Sequence, residues 1–151
     1  MKHHLLFDGS IPDTIAAAMR IYRKTAILWA RTATTGEVVH TLEGIEKADA
    51  GDMVCRGLQD ELWCQSAENL HVKYDSTGLQ DGVWTQYRPK PNAPLVNAIP
   101  IDEPFEVQTS WGKLTGQAGD YLVQSQRAPA DLWIVAREIF EATYEEANPT
   151  Q

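Results

Sequence analysis

Apolar and polar residues alternate over short stretches of this chain, which favours β-strands over long helices. Residues 37–42 and 105–110 mix apolar and polar positions over lengths typical of strands, with strict alternation from Phe105 to Gln108, and a glycine follows each of them shortly afterwards, Gly44 and Gly112. A period of two is typical of a strand with one buried face, and glycine suits the turn that ends it. The pattern predicts a mainly β fold of the α+β class.

The same pattern occurs twice. Asp52 and Asp120 lie 68 positions apart, each within an Ala-Gly-Asp triplet, and each triplet is followed by a Trp and, eleven residues later, a Tyr. These later positions are Trp63 with Tyr74 and Trp133 with Tyr144. Such spacing predicts a tandem duplication. The alternative is chance agreement between two β-rich halves.

The repeat suggests an organisation for the whole chain. We expect an N-terminal segment at 1–21, a first β unit at 22–75, a linker at 76–83, a second β unit at 84–146 and a flexible tail at 147–151. The linker is proposed because its residues are rich in Gly, Asp and Ser. The units are predicted to be small barrel-like or rolled sheets related by an approximate twofold axis.

Two segments have helical character. Ser10, Pro12 and Asp13 suit the start of a helix that would place Ile15 and Met19 on a sheet. Residues 130–142 also fit one helix, but the matching residues 60–72 fit it less well. Because the two copies should share a fold, we predict a strand at 131–135, a helical turn at 136–140 and a strand at 142–145.

Composition limits the functional classes. The 151 residues carry a net charge of −8, and their Lys and Arg do not cluster, so a nucleic-acid partner is not expected. The chain contains no apolar run long enough for a membrane helix, and its start is too short in apolar residues for a signal peptide. Two cysteines are too few for a disulfide framework, which favours the cytoplasm.

Catalytic and metal-binding patterns are weak. Cys55 and Cys64 flank one predicted hairpin and are expected to face each other, but Val123 and Ile134 replace them in the second copy. Packing explains that exchange, because a free cysteine behaves as a small apolar residue. The histidines lack ligand spacing and the carboxylates lack an acid–base arrangement. We therefore expect neither a metal nor a cofactor.

The repeated residues are interpreted as structural. Gly51 with Asp52, and Gly119 with Asp120, have turn chemistry, and the repeated Trp and Tyr residues suit a core. Residues that differ between the copies are better candidates for a site. Because arginine beside aromatic rings suits planar or anionic molecules, we predict a nucleotide-like ligand bound by Arg88, Trp111, Tyr121 and Arg137.

Four stretches of the second copy resemble a group of small β-rich phage and prophage proteins, including a bacterial branch with a Pro-Gly-Asp-Tyr-Gly motif. They are residues 87–91, 109–112, 119–123 and 140–145. The resemblance covers 87–146 well and 22–75 loosely. Two departures are Ala118, where the motif has Pro, and Leu122, where it has its last Gly. The resemblance implies a viral or prophage setting and a binding or accessory role.

Together these observations predict a non-enzymatic binding protein that acts in the cytoplasm of a host cell, as a monomer or small homo-oligomer. It would capture a small ligand or a host protein, for example to counter host defence. One alternative is a structural or assembly protein of a phage particle. Another is a small hydrolase that uses Cys55 or a carboxylate. The cleft between the two units is the expected ligand site.

Overall fold

The computed structural model describes residues 5–147. The predictions for residues 1–4 of the N-terminal segment and for residues 148–151 of the flexible tail lie outside the described residues. Fifteen strands and three short helices are described within that range: β1 (Leu5–Phe7), α1 (Asp13–Ala18), β2 (Arg20–Lys24), β3 (Leu28–Thr32), β4 (Glu37–His40), β5 (Ile45–Ala48), β6 (Asp52–Arg56), β7 (Leu62–Ser66), α2 (Ala67–Lys73), β8 (Tyr74–Asp81), β9 (Trp84–Pro89), β10 (Val96–Pro100), β11 (Phe105–Thr109), β12 (Gly112–Gly116), β13 (Tyr121–Ser125), β14 (Leu132–Val135), α3 (Arg137–Thr143) and β15 (Tyr144–Glu146).

Two five-stranded sheets dominate the fold. Their strand orders are β7-β6-β3-β9-β8 and β14-β13-β10-β2-β15, and we call them the first and second sheets. Both sheets have open edges, and none of the sheets described in residues 5–147 closes on itself. The prediction of a mainly β protein is confirmed, whereas the prediction of barrel-like units is wrong. In the first sheet β7 and β8 lie at opposite edges and do not pair with each other. The same holds for β14 and β15 in the second sheet.

The two sheets use corresponding registers. Cys55 of β6 lies opposite Trp63 of β7, and Val123 of β13 lies opposite Trp133 of β14. These positions are the ones that the 68-residue offset aligns, after allowance for the two-residue insertion in the second half. The repeated Trp residues therefore occupy matching places in the two sheets.

One strand of each sheet comes from the other half of the sequence. β2, which the sequence assigned to the first unit, pairs with β10 and β15 of the second sheet. β9, assigned to the second unit, pairs with β3 and β8 of the first sheet. The pairing of strands within the sheets therefore does not follow the predicted units 22–75 and 84–146. Pro89 ends β9, which lies between β3 and β8 inside the first sheet, although a run of prolines at this point of a sequence favours an edge strand.

The segment predicted as a linker, 76–83, belongs to a hairpin. β8 and β9 are antiparallel, and Gln80 lies opposite Thr85 and Asp81 opposite Trp84. The register shifts between Ser76 and Gln80, so an irregularity bends the strand without ending it. The polar side chains that suggested a linker are mostly exposed on this hairpin.

Each sheet contains a strand–helix–strand unit of the predicted kind, whose two strands lie at opposite edges of that sheet. Strand β14, helix α3 and strand β15 occupy 132–146, in place of one helix across 130–142. Ala136 precedes α3 with an extended ψ of 141°, which breaks any continuous helix at this point. β7, α2 and β8 repeat the arrangement, with Ser66 accepting a hydrogen bond from the Asn69 N–H at the start of α2.

The N-terminal helix is short. α1 begins after Pro12, and no side chain caps it, so the expected Ser10 cap is not formed. Ile15 and Met19 pack against an apolar cluster beneath the second sheet. Phe7 of β1 belongs to that cluster, and β1 runs parallel to β11.

Two hairpins, β4–β5 and β11–β12, contact each other where the two halves meet. The Lys47 N–H donates to the Trp111 carbonyl at 2.8 Å, and the Thr115 N–H donates to the Glu43 carbonyl at 2.7 Å. The backbones approach so closely that a Cβ at Gly112 would lie 2.4 Å from the Ile45 carbonyl oxygen. These contacts hold the two halves together. The edge strands β7 and β14 then both line the space between the two sheets.

Candidate functional site

Two adjoining cavities lie between the sheets. The inter-sheet cavity has a volume of about 110 Å³ and is lined by β7, α2, β14 and α3 together with the tips of both hairpins. The basic cavity has a volume of about 420 Å³ and is bounded by β2, β9, the end of α2 and the loop 90–95. Both cavities are lined by Lys24, Lys73, Tyr74, Trp133 and Tyr144.

Positive charge is concentrated around the basic cavity. Five of the 13 Lys and Arg residues line it, whereas none of its lining residues within 5–147 is acidic. The five are Arg23, Lys24, Lys73, Arg88 and Lys90. The protein as a whole has a net charge of −8. The five cationic residues nevertheless converge at this cavity from β2, α2, β9 and the loop 90–95.

Only part of this charge is neutralised by the protein. At the rim, Arg23 lies 3.5 Å from Glu145 and Lys90 lies 4.0 Å from Asp75, and the two carboxylates are exposed. The side chains of Lys24, Lys73 and Arg88 form no ion pair or hydrogen bond with residues 5–147. Three cationic side chains therefore line the cavity without an acceptor among the described residues.

Lys24 and Lys73 lie where the two cavities join. The Lys24 Nζ is 4.6 Å from the ring centroid of Trp63 and 5.4 Å from that of Tyr144, and the Lys73 Nζ is 5.0 Å from the Trp133 ring. Lys24 of the second sheet thus lies over the tryptophan of the first sheet, and Lys73, the last residue of α2, lies over the tryptophan of the second sheet. Aromatic faces attract cations, but they do not replace the oxygen acceptors that an ammonium group has in water.

Burial changes the protonation of both lysines. It lowers the pKa of Lys24 to about 8, reinforced by the nearby Lys73 and opposed by Cys55 and Glu61. Burial also lowers the pKa of Lys73, where Asp131 opposes the shift. Since desolvation disfavours the charged form of a lysine, an anion in the cavity would stabilise both ammonium groups.

The walls of the basic cavity are fixed by backbone hydrogen bonds. The Lys90 N–H donates to the Lys73 carbonyl at 2.9 Å, and the Thr25 N–H donates to the Thr143 carbonyl at 2.8 Å. These bonds occupy carbonyl oxygens at the ends of α2 and α3, which would otherwise repel an anion. Three prolines also line the cavity, namely Pro89, Pro91 and Pro94, and proline restricts backbone motion.

Acidic groups gather in the inter-sheet cavity. Burial raises the pKa of Glu43 to about 7, with Asp120 and Glu46 adding to the shift. Glu46 is 4% exposed, its pKa is also raised by burial, and it accepts a hydrogen bond from the Cys64 N–H at 2.9 Å. Charge is therefore separated between the two cavities. Carboxyl groups line the inter-sheet cavity, and cationic groups lie in the basic cavity and where the two cavities join.

The four residues that the sequence singled out do not come together. Arg88 lines the basic cavity, and Trp111 lines the inter-sheet cavity, where its indole N–H donates to Asp52 at 3.1 Å. Tyr121 is 8% exposed and stacks on Phe140 with centroids 3.9 Å apart, so it lies in the core.

Arg137 lies at the start of α3 and is exposed. Its guanidinium lies 3.4 Å from Glu141 within the same helix, and it lines neither cavity. Of the four candidates, only Arg88 is placed with the cationic residues of the basic cavity.

The repeated turn residues have the geometry expected of turns. Gly51 and Gly119 have φ values of 90° and 98°, which favour glycine. Asp52 accepts a hydrogen bond from the Asp49 N–H at 3.0 Å, and Asp120 accepts one from the Gln117 N–H at 2.9 Å. Each carboxylate closes the turn that begins three residues earlier.

The two cysteines do not face each other. Cys55 lies opposite Trp63, whereas Cys64 lies opposite Val54, so the thiols are on different faces of the hairpin. Both are free and buried, and burial raises the pKa of each to about 12. The prediction that they face each other was wrong because adjacent positions of a strand point to opposite faces.

Sequence reasoning missed Lys24, Lys73, Lys90 and Arg23. The available signal was the Tyr-Arg pair that precedes each half, Tyr22-Arg23 and Tyr87-Arg88. β2 and β9 exchange between the sheets, which brings both arginines to the same cavity.

Comparisons with family models, curated proteins and solved structures found no match to this chain. No helix within residues 5–147 is both long and apolar enough to cross a membrane. In the same residues, no three His, Cys, Asp or Glu side chains are grouped in a way that could hold a metal ion.

Proposed function

We propose that the protein binds a small anionic ligand, of nucleotide-like size, between two duplicated β units. The observation that carries this proposal is the basic cavity itself, with five cationic residues and no carboxylate among its described lining residues. Its volume of about 420 Å³ falls in the range of roughly 300–1,000 Å³ that is usual for small-molecule sites.

The duplication supports the choice of site. The matching sheet orders, the registers of Trp63 and Trp133 and the reciprocal contacts of the two hairpins all favour one ancestral unit that was copied. The two units would then face each other about an approximate twofold axis. Lys24 and Lys73 lie on opposite sides of their interface, as a shared ligand site requires.

The available hydrogen-bond donors favour a phosphate over a neutral group. Lys24, Lys73 and Arg88 offer ammonium and guanidinium donors that have no acceptor among residues 5–147, and charge-assisted bonds to phosphate oxygens would use them. Trp133, Tyr74 and Tyr144 add apolar surface beside these donors. A planar ring attached to a phosphate would therefore match both parts of the cavity.

The proposed setting is that of a phage or prophage protein that withdraws a nucleotide signal from its host. Its support is the resemblance of residues 87–146 to small phage proteins, together with the anionic preference of the cavity. In this proposal the protein acts by sequestration, so it binds its ligand without converting it.

Isothermal titration calorimetry with AMP, cyclic AMP and adenosine tests the proposal at low salt. We expect the two nucleotides to bind and adenosine, which lacks a phosphate, to bind at least about tenfold more weakly. Arg88→Met should weaken nucleotide binding at least about tenfold, because it removes a charged hydrogen bond worth about 1.5–3 kcal/mol.

Arg137→Met is the matched control, because Arg137 is an exposed arginine that lines neither cavity. This variant should bind as the wild type does. Equal loss in both variants would indicate a general charge effect, and absence of nucleotide binding at millimolar concentrations would refute the nucleotide proposal.

A further inference from the structure

Lys24 differs from the other lysines that the structure describes. Its amine lies 4.6 Å from the ring centroid of Trp63 and 5.4 Å from that of Tyr144, faces both cavities and has no ion-pair or hydrogen-bond partner in residues 5–147. Lys90 and Lys113, in contrast, form ion pairs at 4.0 Å and 3.6 Å. Lys24 is therefore an amine that is held in place, open to the cavities and not stabilised by a carboxylate contact.

We infer that Lys24 captures anionic aldehydes or ketones covalently, as an imine at the junction of the two cavities. The inference rests on the proposed anion site, because the cationic groups of the basic cavity would hold the charged part of the carbonyl compound. Lys73 and Arg88 line the same cavity and supply such groups beside Lys24. The reactive carbonyl carbon would then lie toward the aromatic rings.

The chemistry needs a neutral amine, because only the unprotonated nitrogen has a free electron pair. Burial lowers the pKa of Lys24 to about 8, and the other charged or titratable groups that act on it are Cys55, Glu61 and Lys73. At pH 7.5 about a quarter of such an amine is neutral, against about 0.1% of a lysine with an ordinary pKa.

The reaction balances without an oxidant or reductant. The nitrogen lone pair of Lys24 forms a bond to the carbonyl carbon, and the carbon–oxygen π pair moves to oxygen, which is protonated. The resulting carbinolamine loses its hydroxyl group as water, and a C=N bond forms. The two amine hydrogens are accounted for in that water, so amine and carbonyl compound give imine and water.

Lys73 provides an internal comparison. Its amine lies over one ring, Trp133, and the charge of Asp131 opposes the lowering of its pKa. Glu61 opposes the lowering of the Lys24 pKa in the same way, but it is not the largest opposing charge there, whereas Asp131 is the largest at Lys73. We therefore expect Lys73 to react more slowly than Lys24. Selectivity between these two lysines would be difficult to explain by exposure alone, since both line the same cavities.

The test uses pyridoxal 5′-phosphate, an aromatic aldehyde that carries a phosphate, with the full-length protein at pH 7.5. Borohydride traps the imine as a secondary amine, and peptide mass spectrometry then measures labelling at each lysine. We expect Lys24 to be labelled at least about tenfold faster than the exposed Lys47. AMP should protect Lys24, and Lys24→Arg should abolish that label while Lys47 is still labelled.

Even labelling of Lys24 and Lys47, or faster labelling of Lys73, would overturn the inference. Equal labelling by phosphate-free pyridoxal would overturn its requirement for an anion. Nucleotide binding in the calorimeter without selective labelling would refute covalent capture and leave the proposed function standing. Selective labelling by pyridoxal 5′-phosphate without nucleotide binding would support covalent capture and refute the nucleotide proposal.

Discussion

Replacement of Lys24 by methionine should make the protein more stable while it weakens ligand binding. Burial lowers the pKa of Lys24 from 10.5 to about 8, so the folded state holds the ammonium group less favourably than water does. A shift of this size corresponds to at most about 3.4 kcal/mol at neutral pH. The variant loses the contact with Trp63, worth about 1 kcal/mol, which leaves a net gain of about 1–2 kcal/mol.

The gain should depend on pH in a defined direction. Because the pKa of Lys24 is lower in the folded state, the unfolded state binds more protons between about pH 8 and 10.5. The charge penalty in the wild type is therefore complete below pH 8 and disappears as the pH rises to 10.5. The advantage of Lys24→Met should be largest at pH 7 and small at pH 10.

Urea denaturation of both proteins at pH 7 and pH 10 measures this difference directly. At pH 7 the net gain corresponds to a rise in melting temperature of about 3–6 °C for a domain of this size. Lys47→Met removes an exposed lysine and should change stability by less than about 0.5 kcal/mol. If the Lys24→Met protein is less stable than the wild type at pH 7, or if its advantage persists at pH 10, the buried ammonium group of Lys24 does not destabilise the folded state.

Three further substitutions test the contacts between the two halves. Gly112→Ala should lower the free energy of unfolding by at least about 3 kcal/mol in urea denaturation, because its Cβ would lie 2.4 Å from the Ile45 carbonyl oxygen and φ is +152°. Trp111→Phe removes the indole hydrogen bond to Asp52 and should cost about 1–2 kcal/mol by the same measurement. Glu43→Gln should stabilise the protein by about 1–3 kcal/mol at pH 8 and have little effect at pH 4, because burial raises the pKa of Glu43 to about 7 and the cost of its charge appears as the pH rises from 4.5 through 7.

Each of these predictions has a control. Gly78→Ala places a Cβ in open space at φ +85° and should cost about 1 kcal/mol, so an equal loss at Gly112 would contradict a close approach of the hairpins. A double-mutant cycle of Trp111→Phe with Asp52→Ala should show a coupling energy of about 1 kcal/mol, whereas additive losses would exclude the hydrogen bond. A gain for Glu43→Gln that is the same at pH 4 and pH 8 would exclude its charge as the cause.

The local elements could be predicted because their signals lie close together in the sequence. Asp52 and Asp120 close turns through backbone groups three residues away, and Gly51 and Gly119 supply the backbone conformation that those turns need. Comparison of the two halves also predicted that residues 130–142 would form a strand and a helix. The helical pattern of residues 130–142, taken alone, would have predicted one continuous helix, whereas the structure has β14 followed by α3.

Strand partners could not be predicted in the same way. β2 and β9 begin from similar Tyr-Arg sequences, and local pattern does not say which sheet receives each strand. The hairpin at 76–83 was missed for a related reason. Its polar residues are typical of a loop, whereas its pairing with β9 depends on backbone groups that every residue has.

The candidate site was only partly predictable. Arg88 was selected for its chemistry and does line the basic cavity, but Tyr121 was selected on the same grounds and lies in the core. Lys24 and Lys73 have no distinguishing sequence context. Their surroundings arise from the way β2 and α2 meet the opposite sheet. Only the assembled fold shows that both side chains are partly buried and have no acceptor in the part of the chain that the structure describes.

The most direct test of the anion site is X-ray diffraction from crystals grown with 8-bromo-AMP, because anomalous scattering locates the bromine without assumptions about the ligand. We expect a bromine peak beside Trp133 or Tyr144, with the phosphate contacting Arg88, Lys24 or Lys73. A ligand bound elsewhere on the protein, or a basic cavity that stays empty of ligand at saturating concentration, would contradict this expectation.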